Sequence, residues 1–275
     1  RLNAQVTFKG YAAHAAANPD SGRSALDALE LMNVGINFLR EHVPQETRIH
    51  YSILDAGGRP TNIVQPHAVG AYTVRHPKCI VAQSVLERVF DIAKGAALMT
   101  GTEVEWKLEY SLYDYIPNKA LDKVAFKNFD EAPAPIYTEE EIAFAKELNN
   151  TIPVESRSSM LATTGISLGE EPEAIAEFVF KQTLYGVSTP GSSDVGNVSY
   201  ITPTTQIVTA TFPIHVPVHS WQATAAAGSN AAMKAMLYAA KVMAGTAYDL
   251  FGAPEVLEEA RKEFEKATKD DPYAY

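Results

Sequence analysis

The stretch Leu2–Lys9, LNAQVTFK, sets Leu2, Ala4, Val6 and Phe8 against Asn3, Gln5, Thr7 and Lys9. A period of two is that of a strand with one dry and one wet face, so the chain begins with a half-buried strand. Next comes Ser24–His42, with Leu26, Leu29, Met32, Ile36 and Leu39 at helical spacing. Ser24 with Asp27 three residues on has the form of a capping box, and Pro44 bars continuation. Arg48–Leu54 alternates again, placing Ile49, Tyr51 and Ile53 on one face, and a loop with Gly57, Gly58 and Pro60 leads to a third strand at Ala68–His76. Lys78–Gly101 reads as a helix through Val81, Val85, Val89 and Ile92, stopped by Gly101. In Glu103–Tyr113, Val104, Trp106, Leu108 and Tyr110 alternate with Glu103, Glu105, Lys107 and Glu109. The order β-α-β-β-α-β over residues 1–115 predicts an α+β domain of ferredoxin-like arrangement, an antiparallel sheet with helices on one face.

Residues 116–275 follow a different pattern. Thr138 three residues before Glu141 signals a helix start. The run 151–180 resists assignment, and 202–212, TPTTQIVTATF, reads as a buried strand. Ser220–Phe251 reads as one long alanine-rich helix with Gly228 as its weak point; so apolar a helix expects cover on more than one side. A closing helix carries Pro254 in its first turn. So few strands do not make a self-sufficient α/β domain. We read 116–275 as the C-terminal portion of one whose other portion precedes Arg1, with 1–115 inserted between the two.

Composition narrows the function. With 23 basic against 33 acidic residues and a net charge of −10, nucleic acid is a poor partner. An RNA-binding sheet needs stacking aromatics and a basic face, and the third strand offers only Tyr72 and Arg75. Cys79 is the single cysteine, which excludes an intrachain disulfide and points to a reducing compartment, the cytoplasm. No apolar run is long enough to span a bilayer, so no membrane partner is expected. The chain opens on Arg1 rather than methionine, and a strand with no run-in suggests further polypeptide before it.

Several residues carry chemistry. His14 sits among Ala12, Ala13, Ala15 and Ala16; on the residues alone it is a loop histidine capping the helix that follows. Asn62 after Gly-Gly-Arg-Pro is an ordinary turn residue, and Arg75 a strand-end charge. Gly191, Ser192, Ser193 and Asp194 form a small-residue turn whose N–H groups could hold an anion, or Asp194 simply caps a helix. His215 and His219 are four apart, but Pro217 between them argues against a helix, so His215 reads as structural.

Four stretches together, GYAAHAAANPDSGRSALDA, GGRPTNIVQPHAVGAYTVRH, STPGSSDVGNVSYITPTTQ and PVHSWQ, resemble in order the M20 metallopeptidases and amidohydrolases, and within them the aminobenzoyl-glutamate utilization branch. The resemblance implies a lid (dimerisation) domain inserted in a zinc-peptidase-type catalytic domain. It implies His14 as the catalytic histidine that reaches the neighbouring subunit's active site to polarise the scissile carbonyl and stabilise the oxyanion. Asn62, Arg75 and the Gly191–Asp194 turn would bind substrate, and His219 would be the last metal ligand. One or two zinc or manganese ions would activate water, and a homodimer through the lid would cleave a small-molecule N-acyl amide of the aminobenzoyl-glutamate type, releasing an amino acid. The family's other ligands precede the lid, so this chain alone is expected to be inactive and to need that N-terminal segment. Gln65 before Pro66 departs from the family pattern, in which proline follows the asparagine sooner. The alternatives are a non-catalytic dimerisation or ligand-binding module and a regulatory amino-acid-binding domain.

Overall fold

The computed structural model describes residues 1–157, 174–177, 191–270 and 273. They divide into two compact units, Arg1–Tyr115 with Ser192–Asn197, and the remainder. The first unit is built on strands β1 (Leu2–Lys9), β3 (Arg48–Asp55), β5 (His67–Arg75) and β6 (Glu103–Ser111), in the order β3-β5-β1-β6. Every neighbouring pair is antiparallel. Helices α1 (Ala25–Leu39) and α2 (Cys79–Thr100) fill the β-to-β connections of the expected βαββαβ order. Two short strands, β2 (Ala13–His14) and β4 (Ile63–Val64), pair apart from the main sheet.

The local signals act as physical chemistry requires. Leu2, Ala4, Val6 and Phe8 are buried. Ser24 caps α1 by accepting from Asp27 N–H, and Gly101 ends α2 in the left-handed region at φ 66°. Both helices lie on the face that carries Val6. Asn33 of α1 accepts a 2.9 Å bond from the buried Tyr72 hydroxyl, and Tyr72 pairs with Ala4. Phe90 of α2 stacks at 4.8 Å on Trp106, which pairs with Val6. Burial pushes the Tyr72 phenol well above its ordinary value.

On the opposite face Asn3 uses both ends of its amide. Its oxygen accepts from Thr73 of β5, and its nitrogen donates to the Glu109 carboxylate of β6. The outer strands are less covered than their alternation suggests. Ile49 is buried, but Tyr51 and Ile53 are exposed, as are Trp106 and Leu108. These strands are the sheet's edges, where a side chain has a neighbouring strand on one side only.

The second unit is helical among the described residues: α3 (Lys119–Glu131), α4 (Glu139–Asn150), α6 (Trp221–Ala227), α7 (Asn230–Phe251) and α8 (Pro254–Thr268). Helix α5 (Val195–Ser199) begins in the residues grouped with the first unit. Thr138 and Glu141 form the full capping box of α4, and Pro254 takes the first turn of α8. Two small apolar clusters lie among the described residues. One joins Leu148, Val216, Ala223 and Ala226, and another Ala120, Leu121 and Ala260.

Two expectations fail here. Residues 202–212 form no strand; the backbone turns at Thr211 N–H to Thr209 O, 2.9 Å, and Val208 is 82% exposed. The β-branched run Ile207–Thr209 has strand propensity, but propensity needs a ladder, and among its described residues the second unit offers no other strand. The long alanine-rich helix is two helices. Ser229 accepts from Ala232 N–H and starts α7 afresh after α6, because a serine that caps a new helix overrides the run of alanines before it. Most of 151–180 lies outside the described residues.

Candidate functional site

Gly10 ends β1 and opens the loop that carries His14. A Cβ there would lie 1.9 Å from the Arg23 carbonyl oxygen, so only glycine lets the two ends of the loop close. They are joined by Tyr11 N–H to Arg23 O at 3.0 Å and Arg23 N–H to Tyr11 O at 2.9 Å. Within the loop His14 pairs with Ile63, and Ala15 N–H donates to Asn62 O at 2.9 Å. His14 and Asn62 therefore share one two-stranded ribbon. Gln65, the departure from the family pattern, has its carbonyl on the first turn of α1, accepting from Ala25 N–H at 2.8 Å.

The His14 ring is exposed, and its Nδ1 accepts from Ala16 N–H and Ala17 N–H, each at 3.2 Å. In the neutral ring this bonding places the proton on Nε2, leaving an Nε2–H donor without a partner among the described residues. The imidazole thus caps its own turn and presents a donor outward at the same time. It does not cap α1, whose cap is Ser24.

The loop between β3 and β5 is clasped at its neck. Asp55 accepts from Gly57 N–H at 2.8 Å and meets His67 Nδ1 at 3.1 Å. The Gly57 N–H, then His67, hold the Asp55 carboxyl below its usual range. Sequence reasoning did not single out this pair; an aspartate two residues before a Gly-Gly turn is the signal that points to it.

Arg75 ends β5, and its Nη2 donates to Ser192 Oγ at 3.0 Å. The structure joins these two predicted residues across 117 positions. Ser193 accepts from Val195 N–H at 3.1 Å and so starts α5, the part expected of Asp194, which stays exposed. Asn197, not foreseen, ties the segment to the end of β6, accepting from Tyr113 N–H at 3.1 Å and donating to Ser111 O at 3.0 Å. Gly191 groups with the second unit.

Within one copy His14 and Asn62 stand apart from Arg75 and Ser192. Lys9 pairs with His67, and Leu2 with Val74. The His14–Asn62 ribbon therefore leaves one end of β5 and Arg75 stands at the other, roughly 27 Å of strand apart at about 3.4 Å per residue.

In the second unit His215 is structural, as expected. Its N–H donates to Asn149 Oδ1 at 3.2 Å, and its Nδ1 meets Arg157 O at 3.2 Å. His219 is different. Its φ is 64°, the one positive value at a non-glycine among the described residues, and its ring is exposed. This conformation costs about 1–3 kcal/mol and marks functional positions more often than others. Ser220 fixes it, capping α6 through Ala223 N–H and donating to Pro217 O at 2.7 Å. Among the described residues no three histidine, cysteine, aspartate or glutamate side chains gather as a metal centre. The described residues therefore do not complete a coordination sphere, at His219 or elsewhere.

Over 281 aligned residues the chain is 36% identical to one of the subunits of p-aminobenzoyl-glutamate hydrolase from Escherichia coli (strain K12), covering 99% of this chain and 58% of that protein. The chain is its relative. A second relative is Xaa-Arg dipeptidase of Mus musculus, 32% identical over 263 residues, 94% of this chain and 50% of that one. The chain thus spans about half the length of the curated relatives it matches, and both are hydrolases by name. A solved aminobenzoyl-glutamate utilization protein from Klebsiella pneumoniae superposes with TM-score 0.42 at 24% identity, over 48% of this chain and 33% of that chain. No protein-family model matches the chain. Among the described residues no helix is long and apolar enough to cross a membrane.

Proposed function

We propose that the chain is the lid-bearing C-terminal part of an M20-type metal-dependent amidohydrolase that cleaves an N-acyl amide, of the aminobenzoyl-glutamate kind, to release an amino acid. The similarity to the p-aminobenzoyl-glutamate hydrolase chain across 99% of this one carries the reading. In it the first unit is the inserted ferredoxin-like lid, and His14 is the catalytic group. An Nε2–H held in place by two backbone bonds to Nδ1 is a fixed donor, most effective where an amide oxygen gains negative charge. Arg75, with Ser192 beside it, offers a fork of donors for the substrate's planar carboxylate, and Asn62 adds its carboxamide.

Because His14 and Arg75 stand at opposite ends of β5, one copy's imidazole would serve another copy's Arg75. This supports a homodimer through the first unit. The Escherichia coli relative is by name one subunit of its hydrolase, which also supports an assembly of more than one chain. His219 would contribute one ligand to a zinc or manganese site whose other ligands lie outside this chain. A catalytic zinc takes three protein ligands, so the 275-residue chain by itself would be inactive.

The test is made in the complete enzyme. His14→Ala is expected to lower turnover of an N-acyl-glutamate about a hundredfold while metal content stays unchanged; His219→Ala is expected to lower metal content. Metal loss in His14→Ala would make it a ligand instead. A complete protein that binds no metal and cleaves no amide would be a dimerisation module.

A further inference from the structure

Arg59 is the one arginine that its own fold leaves unused. Every other arginine is held, Arg1 over the Tyr110 ring at 5.2 Å and the rest by hydrogen bonds to oxygen atoms. Arg59 is exposed and has no partner among the described residues. Yet the backbone beneath it is braced. Gly57 and Gly58 take left-handed φ values of 82° and 101° just before it, and Pro60 fixes φ just after. A Cβ at Gly57 would lie 2.6 Å from the Gln65 Cβ and 2.7 Å from His67 O, so the two limbs of the loop touch beside the Asp55–His67 clasp. Three residues on stands Asn62, whose carbonyl holds Ala15 N–H next to His14. The Arg59 Cα is therefore at most about 11 Å from that of Asn62. A guanidinium on a braced loop, with all its donors free, is placed to meet an anion from outside.

We propose that Arg59 selects substrates whose released amino acid is acidic, its guanidinium taking the side-chain carboxylate. This rests on the reading of the chain as part of an amidohydrolase. A substrate of the aminobenzoyl-glutamate kind carries two carboxylates beside its amide. In that reading Arg75 of one copy takes the first, and His14 and Asn62 of the other copy face the amide. Arg59, on the loop that carries Asn62, is the unspent cation left for the second. The charge of the chain sharpens the need for it. At a net charge of −10 a dianion is repelled at long range, whereas its neutral carboxamide analogue is not. A preference for the acid must then come from a local cation. The planar fork of arginine meets both oxygens of a carboxylate by parallel bonds, and a carboxamide offers it one oxygen.

The test uses the complete enzyme and two substrates of nearly equal shape, N-benzoylglutamate and N-benzoylglutamine. The wild-type protein is expected to favour the glutamate. Arg59→Gln should lower kcat/KM for N-benzoylglutamate about fiftyfold, chiefly through KM, and change that for N-benzoylglutamine by less than about twofold. Arg59→Lys keeps the charge without the fork and should fall between the two. A preference that survives in Arg59→Gln overturns the inference. An equal fall on both substrates also overturns it, because Arg59 would then hold the loop or another copy rather than read the substrate. Calorimetric binding of the same two compounds is measured beside turnover. If the wild-type protein cleaves neither, the proposed function falls, and binding still decides Arg59. A glutamate preference lost in Arg59→Gln sustains its role; no preference, or one that the substitution leaves intact, overturns it.

Discussion

The two units fill their cores differently. The first centres its core on large apolar residues: Leu2, Phe8, Leu29, Met32 and Tyr72 are all at or near zero exposure beneath α1 and α2, although Tyr51, Ile53, Trp106 and Leu108 at the sheet's edges are exposed. The second buries many alanines beside Leu121, Leu148, Val216, Tyr238 and Val242, and turns Trp221, Leu237, Met243 and Phe251 outward. Dispersion and burial therefore hold the first unit together. The second ties its helices to one another with polar contacts, among them Glu141 with Lys234 at 2.7 Å and Asp249 with Lys127 and Asn128 at 3.0 Å each. The contrast separates a core filled by large side chains from one filled largely by small ones, whose helices are also joined by ion pairs.

Each unit holds one of the two tryptophans, Trp106 in the first and Trp221 in the second, so single-tryptophan variants report them separately. The largest effect should come from Phe8→Ala, which is expected to cost the first unit about 3–5 kcal/mol. Phe251→Ala, at the outward end of α7, should stay within about 0.5 kcal/mol for the second. Urea unfolding followed by the tryptophan of each unit compares them, and equal losses would erase the distinction. His219→Gly should stabilise the second unit by about 0.5–1 kcal/mol, the cost of a left-handed backbone less the entropy of glycine. His219→Ala keeps a Cβ and should show no such gain; an equal gain would mean that no backbone strain sits there.

The smallest effect concerns acid. Glu141 is held below its usual range by Lys234, then by Thr138 N–H, and Asp249 by Lys127, then Asn128. A carboxyl depressed in the folded state adds stability that is present above its ordinary pKa and lost as pH falls through the depressed one. In the first unit Asp55 is the carboxyl depressed in this way, on a loop rather than between helices. Acid titration should therefore move the Trp221 signal at a higher pH than the Trp106 signal, with Asp249→Asn flattening the Trp221 response. Coincident transitions would show that the polar ties contribute nothing particular to the second unit.

What could be read from sequence was local. The alternation of β1, the Ser24 cap, the Gly101 stop, the Thr138–Glu141 box and Pro254 each depend on residues a few positions apart, so they are visible before folding. The strand misread at 202–212 and the exposure of Tyr51 and Trp106 depend on which neighbours a segment acquires, which no window contains. The site divides in the same way. His14, Arg75 and His219 stood out by type and by family resemblance. The pairing of Arg75 with Ser192, the Asn197 tie and the two N–H groups on the His14 ring come from three-dimensional placement. The left-handed backbone at His219 is set by Ser220 reaching back to Pro217, a geometry that the letters PVHS do not spell.

The amide of Asn3 has one more effect. Shift β1 by a single position against its neighbours and Asn3, Gln5, Thr7 and Lys9 would all turn under the helices, where Thr73 and Glu109 could no longer answer the amide. A register-shifted version of this sheet is thus penalised at its first residues, which makes Asn3 a proofreader of assembly as much as a brace of the finished fold.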